Sequence, residues 1–326
     1  MAIEPNDDLL ICARRTRHGE FIAEPGQSQF LAVPQGTPHP SHQVKKGEWV
    51  KEVMRRAVWR EDGAGRTIGD LLIFIHGYNN PQETVIWRHR KLRETLAEAG
   101  YRGAVATFDW PASDIALAYL EDRDDAKATA RQLVVDGIRT FTSLLRPDCF
   151  INVHLLAHST GAYIIREAFD DADDRASIAS VNWSVSQIAL IGGDISSKSL
   201  RADDSKSSSI FRRANRITNY SNNYDSVLTL SNAKRVGLAP RVGRVGLPED
   251  SHGKCVNVDC SDYYSTLNEE QLVKDHDYTG TFCHSWHIGN PLFAKDLAHT
   301  LLGEKDRAVI PTRHVVGPNR MKLVPA

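Results

Sequence analysis

The stretch Phe150–Phe169, FINVHLLAHSTGAYIIREAF, joins two patterns that together could present a nucleophile. Ile151, Val153, Leu155 and Leu156 form an apolar run dense enough for a strand buried on both faces. After Ala157-His158-Ser159-Thr160-Gly161 a helical spacing takes over, with Tyr163, Ile164 and Ala168 able to share one face. A strand that enters a helix through five residues leaves the middle one on a tight turn, its side chain thrown clear of the sheet. That residue is Ser159, and the positions two before and two after it, Ala157 and Gly161, are small, as a turn with nearly touching arms requires. An ordinary turn containing serine is the competing reading, and the strand before and helix after weigh against it.

A serine hydroxyl is a weak nucleophile at neutral pH and needs a base within hydrogen-bond reach, usually histidine. The histidine in turn needs a carboxylate that fixes its tautomer and stabilises the imidazolium. Ser159, Asp225 and His284 follow one another in the order nucleophile, acid, base, each after an expected strand. Asp194 is a rival acid; Asp225 is preferred because two strands separate it from the serine strand, giving its loop the reach to meet a late histidine. His287, three residues beyond His284, is a rival base, and the residues alone leave that choice open. The oxyanion formed on attack must meet preorganised N–H donors, for which the backbones of Thr160 and of Tyr78, after His76-Gly77, are the candidates. Tyr78, Trp110, Tyr163 and Trp286 are candidate walls of an apolar substrate pocket.

These groups need a scaffold, and the chain supplies alternating elements. Asp70–His76 reads as a central strand, followed by an amphipathic helix to about Ala99 and a second strand over Gly103–Asp109. A helix over Asp114–Leu145 then precedes the serine strand. Gln187–Ile191 and Arg216–Tyr220 follow as strands, Lys254–Asp259 as the last one, and a helix runs to about Leu302. Strand and helix in alternation imply a mostly parallel central sheet flanked by helices, with reactive groups at the carboxyl ends of its strands. Residues 1–68 are expected to be an extension packed on the core, with short strands at Leu9–Ala13 and Phe30–Val33 and a helix over Glu48–Arg60; 69–303 form the main domain; 304–326 form a tail with no assigned element. The basic cluster Trp87–Arg93 is expected to be a solvated helix face, and the arginines of the Gly-rich segment 234–248 to be solvated likewise. The serine-rich segment 196–209 reads as a mobile or partly helical connection.

The 326 residues carry 40 Lys plus Arg against 41 Asp plus Glu, so no strong field draws the chain to nucleic acid or to an anionic membrane. Five cysteines without a C-x-x-C pair suit reduced thiols of a cytoplasmic protein, and no stretch is long and apolar enough for a bilayer. The acidic N-terminus does not match a secretory leader. His39 and His42 lack a further ligand, and Asp170–Asp174 lacks the glycine and glutamate of a calcium loop, so no metal is expected.

Taken together, His76-Gly77-Tyr78-Asn79-Asn80, Phe108-Asp109-Trp110-Pro111, Ala157-His158-Ser159-Thr160-Gly161, Tyr220–Asp225 and His284-Ser285-Trp286 resemble the bacterial α/β-hydrolases long labelled as a domain of unknown function and often described only as esterase- or lipase-like. The resemblance spans about Leu9 to Leu302. It implies an α/β-hydrolase fold and a Ser-His-Asp hydrolase without cofactor, and it favours Asp225 and His284. Thr160 stands where the family often has Met, and His287 where an aromatic residue is common. The expected activity is cleavage of a small carboxylic ester through an acyl-enzyme. An amidase, an acyltransferase or a non-catalytic binding protein on the same scaffold are the alternatives.

Overall fold

The computed structural model describes residues 2–112, 129–144, 149–233, 239–275 and 278–325. In chain order the strands are β1 (Asp8–Arg17), β2 (Glu20–Val33), β3 (Val58–Glu61), β4 (Thr67–Ile75), β5 (Ala104–Asp109), β6 (Cys149–His158), β7 (Val185–Ile191), β8 (Ala214–Ser221), β9 (Cys255–Asp259), β10 (Arg313–Gly317) and β11 (Arg320–Leu323). The helices that matter for the site are α1 (Lys46–Ala57), α2 (Gln82–Glu98), α3 (Gly161–Asp173), α4 (Ser226–Ala233) and α5 (Pro291–Leu302). Residues 129–142 are helical with a wider π turn over Leu133–Ile138; the rest of the helix expected over Asp114–Leu145, with its charges Glu121–Lys127, lies outside the described residues, as do 234–238.

Among the described residues these strands form one sheet, in the order β10-β11-β9-β8-β7-β6-β4-β5-β1-β2, with β3 paired to the start of β4. Every pairing from β1 through β5, β4, β6, β7, β8 and β9 to β11 is parallel. Antiparallel hairpins, β1–β2 and β10–β11, close the two edges. The apolar runs explain the central position of β4 and β6. Leu71, Ile73 and Ile75 enter one core layer with Leu155, Ala157 and α3, while Leu72, Phe74 and Leu156 enter the other with α2 and α5. Successive side chains point to opposite faces of a strand, so an unbroken apolar run is what a strand covered on both sides requires.

Several expectations shift. The helix expected over Glu48–Arg60 ends at Ala57, and Trp59 belongs to β3, where its indole N–H donates to Asp70 at 2.7 Å. Lys254–Asp259 is not the last strand, because the tail adds β10 and β11, with β11 lying parallel to β9. That hairpin is fixed by Arg313, which reaches Asp296 on α5 at 2.6 Å in full burial while the Tyr220 hydroxyl donates to the same carboxylate at 2.7 Å. No periodic signal in a five-residue strand announces a partner of this kind. The segment 196–209 holds a buried 3-10 turn at Ser197–Leu200 and the start of a helix at Ser208.

The basic cluster on α2 is also not a solvated face. Arg88 and His89 are buried, and Arg90 and Arg93 converge on the buried carboxylate of Asp8, at 2.6 and 2.8 Å.

Candidate active site

β6 ends at His158 and α3 begins at Gly161, so the turn between them is as short as the sequence indicated. Ser159 takes φ +56°, a left-handed conformation that costs a residue with a Cβ roughly 1–3 kcal/mol. Neighbouring strand ends hold it there: its N–H donates to the Ile191 carbonyl at 3.0 Å, and its carbonyl accepts from Asp194 N–H at 3.0 Å and Ala162 N–H at 3.1 Å. The need for a small residue at 161 has a different cause from the one expected. A Cβ on Gly161 would lie 2.4 Å from the carbonyl oxygen of Ile75 on β4, so the helix start is pressed against the adjacent strand and not against the other arm of the turn.

Asp225 and His284 meet at the same end of the sheet. Asp225 lies just before α4, where one carboxylate oxygen accepts from Leu228 N–H at 3.1 Å; the other is 2.6 Å from His284 Nδ1. The helix end that the carboxylate caps therefore also orients it. His284 belongs to a single helical turn, Phe282–Ser285, tied back by Asn222, whose side-chain amide donates to the Cys283 carbonyl at 3.2 Å. Its ring rests against Gly192 (φ +53°), where an added Cβ would come within 3.0 Å of Cε1. The other ring nitrogen, Nε2, is buried without a hydrogen-bond partner. Ser159 and His284 border one cleft of about 250 Å³, together with Tyr78, Arg88, His158 and Thr281.

The rival residues are placed elsewhere. Asp194 is buried and faces Arg241 at 3.2 Å, so it is joined to an arginine of the Gly-rich segment, and that arginine is not solvated. His287 is buried away from the cleft, stacked on Trp286 at 4.1 Å and edge-on to Phe293 at 5.2 Å; burial, with the nearby His284, holds its pKa well below the usual value. Of the aromatic residues expected along an apolar pocket, Tyr78 alone borders this cleft. Trp110 stacks on His76 at 5.5 Å and donates its indole N–H to the His76 carbonyl at 2.8 Å, while Tyr163 and Trp286 lie in the two core layers. Asn79, Asn80, Thr84, Thr281 and Ser285 also line the cleft, so its walls mix polar and apolar surface in about equal measure, which a reading from aromatic residues alone does not anticipate.

The two backbone donor candidates flank the serine. Thr160 stands at the N-terminal end of α3, where N–H groups lack partners inside the helix and carry the positive end of its dipole. Tyr78 lies in a loop that Asn80 shapes, its side-chain amide donating to the carbonyls of Gly77 at 2.6 Å and Tyr78 at 3.0 Å. Below the loop, His76 bridges the Gly77 carbonyl at 2.9 Å and the Asp109 carboxylate at 3.1 Å. Burial acts to raise the pKa of Asp109, but Arg14 at 2.8 Å and the His76 contact hold it below the usual carboxylate range. Sequence reasoning gave no role to several cleft residues, among them Arg88, His158 and Ser285.

A family model described as "Alpha/beta hydrolase of unknown function (DUF900)" matches residues 56–258. The chain belongs to this family. The match to these α/β hydrolases takes in Ser159 and Asp225, and His284 follows beyond it. The likeness to solved structures is slight. A cutinase-like protein from Cryptococcus sp. is 14% identical, covers 73% of this chain and 96% of its own, and has a TM-score of 0.36. For a Trichoderma reesei cutinase the values are 9%, 72%, 76% and 0.30, and for esterase B from Lactobacillus rhamnosis they are 13%, 67%, 78% and 0.32. No curated protein matches the sequence.

Proposed function

We propose that this α/β hydrolase is a serine hydrolase that cleaves a small carboxylic ester through an acyl-enzyme. The observation that carries the proposal is the 2.6 Å contact between Asp225 and His284 Nδ1, with Nε2 of the same ring unpartnered beside the cleft that Ser159 borders. With Nδ1–H donated to the carboxylate, Nε2 is left as the basic nitrogen. In the proposed reaction it takes the proton as the Ser159 hydroxyl adds to the ester carbonyl, forming a C–O bond and an oxyanion. The backbone N–H groups of Thr160 and Tyr78 stabilise that charge. Collapse breaks the bond to the alkoxy group, which leaves as the alcohol with the proton from Nε2. Water then attacks the acyl-serine by the same proton path, releasing the acid and restoring Ser159.

A cytoplasmic location belongs to the same proposal, and cell fractionation tests it. No helix among the described residues is long and apolar enough to cross a membrane.

Labelling with a fluorophosphonate tests the nucleophile directly: mass spectrometry of the labelled protein is expected to find the adduct on Ser159. No adduct on folded protein would favour a binding role in place of catalysis. Asp225→Asn is a sharper probe. Asn keeps an oxygen for the Leu228 N–H, so the cap persists, but it cannot stabilise the imidazolium. Turnover of a chromogenic ester is expected to fall about 10³–10⁴-fold with little change in thermal midpoint. A variant that retains full turnover would remove Asp225 from the reaction.

A further inference from the structure

Arg88 on α2 is 3% exposed and lines the cleft that holds Ser159 and His284. Among the described residues three other arginines are buried to a similar depth, and each faces a carboxylate: Arg14 meets Asp109, Arg241 meets Asp194, and Arg313 meets Asp296. Arg88 does not. Its Nη1 donates to His158 Nδ1 at 3.1 Å, and its Nη2 to Ser285 Oγ at 3.1 Å and to the Thr279 carbonyl at 3.5 Å, while Nε has no partner. All three acceptors are neutral. Arginine can only donate, so His158 Nδ1 accepts and His158 Nε2–H donates to the His284 carbonyl at 3.2 Å. Burial, then the charge of Arg88 and the His284 ring, drive the pKa of His158 well down and keep it uncharged. Burial also lowers Arg88 itself, to about 10, which leaves it cationic at neutral pH.

A buried cation without a counter-ion is costly, and a strut does not need one. The bonds to His158, Ser285 and Thr279 could be made by a neutral amide. What a guanidinium adds is charge and spare donors in the planar fork that suits a carboxylate. Its place relative to the reaction follows from Gly77, where an added Cβ would lie 2.7 Å from Ser159 Cβ and 3.0 Å from the His158 Nδ1 that Arg88 holds. The guanidinium is thus one hydrogen bond from a ring that neighbours the nucleophile.

We propose that Arg88 binds an anionic substituent of the substrate, so that the ester taken by this cleft carries a carboxylate a few atoms from its scissile carbonyl. The proposal rests on the ester-hydrolase reading of the same site. A single unmatched positive charge suits a monoanion, hence a carboxylate in preference to a phosphate dianion.

The test compares matched esters on the unaltered protein. 4-Nitrophenyl hemisuccinate is set against 4-nitrophenyl butyrate, which places the charge on the acyl side; 4-acetoxybenzoate is set against its methyl ester, which places it on the alcohol side. The charged member of at least one pair is expected to show kcat/KM at least about tenfold higher, chiefly through KM. Arg88→Met is expected to abolish the preference, and Arg88→Lys to retain part of it. Equal or better turnover of the neutral member in both pairs overturns the proposal, as does a preference that survives in Arg88→Met. Should Arg88→Met fail to fold, the unaltered protein and Arg88→Lys still decide. Calorimetry on Ser159→Ala with monomethyl succinate against methyl butyrate separates this inference from the function beneath it. Selective binding of the anion without hydrolysis of any ester would retain the anion site and remove the esterase; hydrolysis of both classes without discrimination would do the reverse.

Discussion

Ser159→Ala is expected to lower the turnover of a chromogenic ester by about 10⁶-fold and to abolish fluorophosphonate labelling, with an unchanged thermal midpoint. The size of the loss follows from the chemistry. On the proposed mechanism there is no acyl-enzyme without Oγ, and what remains is water attacking a carbonyl polarised by the donors at Tyr78 and Thr160. The unchanged stability follows from the contacts. Ser159 is held through its backbone, by Ile191, Asp194 and Ala162, and all of these bonds survive loss of the hydroxyl. A variant that keeps its turnover would show that the serine is not the nucleophile. A variant that loses turnover together with its fold would show that the hydroxyl has a structural task which the backbone contacts do not reveal.

The two histidines three residues apart are expected to respond in opposite ways. His284→Ala removes the proposed base, which Asp225 orients, and kcat should fall by about 10⁴–10⁶-fold while most of the stability remains. His287→Ala leaves the cleft intact but empties the space between Trp286 and Phe293, so it should retain turnover and lose about 2–4 kcal/mol in denaturant unfolding. Neither nitrogen of His287 has a hydrogen-bond partner, so the ring is held by packing alone. The decisive result against this assignment is a folded His287→Ala protein without activity beside an active His284→Ala protein.

Much of this was legible because the informative signals are local. Five consecutive apolar residues at Leu71–Ile75 are typical of a strand covered on both faces, and a serine between small residues at a strand-to-helix junction marks the turn. The proposed acid and base could be ordered along the chain because parallel units bring their loops to one end of the sheet. What escaped depends on contacts distant in sequence. β10 and β11 are five and four residues long, and the pairing of Arg313 with Asp296 that secures them leaves no periodic trace. Trp110, Tyr163 and Trp286 looked available for substrate because aromatic residues serve cores and pockets alike. Arg88 was masked by its basic neighbours, although a signal was present: Val85, Arg88, His89, Leu92 and Leu96 recur at helical spacing, and all are buried. A charged residue on the inward stripe of a helix was the indication that the cluster is not one solvated face.

The left-handed turn at Ser159 carries a consequence for the evolution of the chain. The residue proposed as nucleophile sits where the backbone takes a strained conformation, so on that reading activity and robustness pull against each other there. Glycine at 159 would shed the strain that alanine keeps, and Ser159→Gly should therefore resist urea better than Ser159→Ala, by about 1 kcal/mol once the added freedom of the unfolded chain is deducted. A lineage released from selection for turnover would have a downhill route to a sturdier, inert protein by altering a single codon.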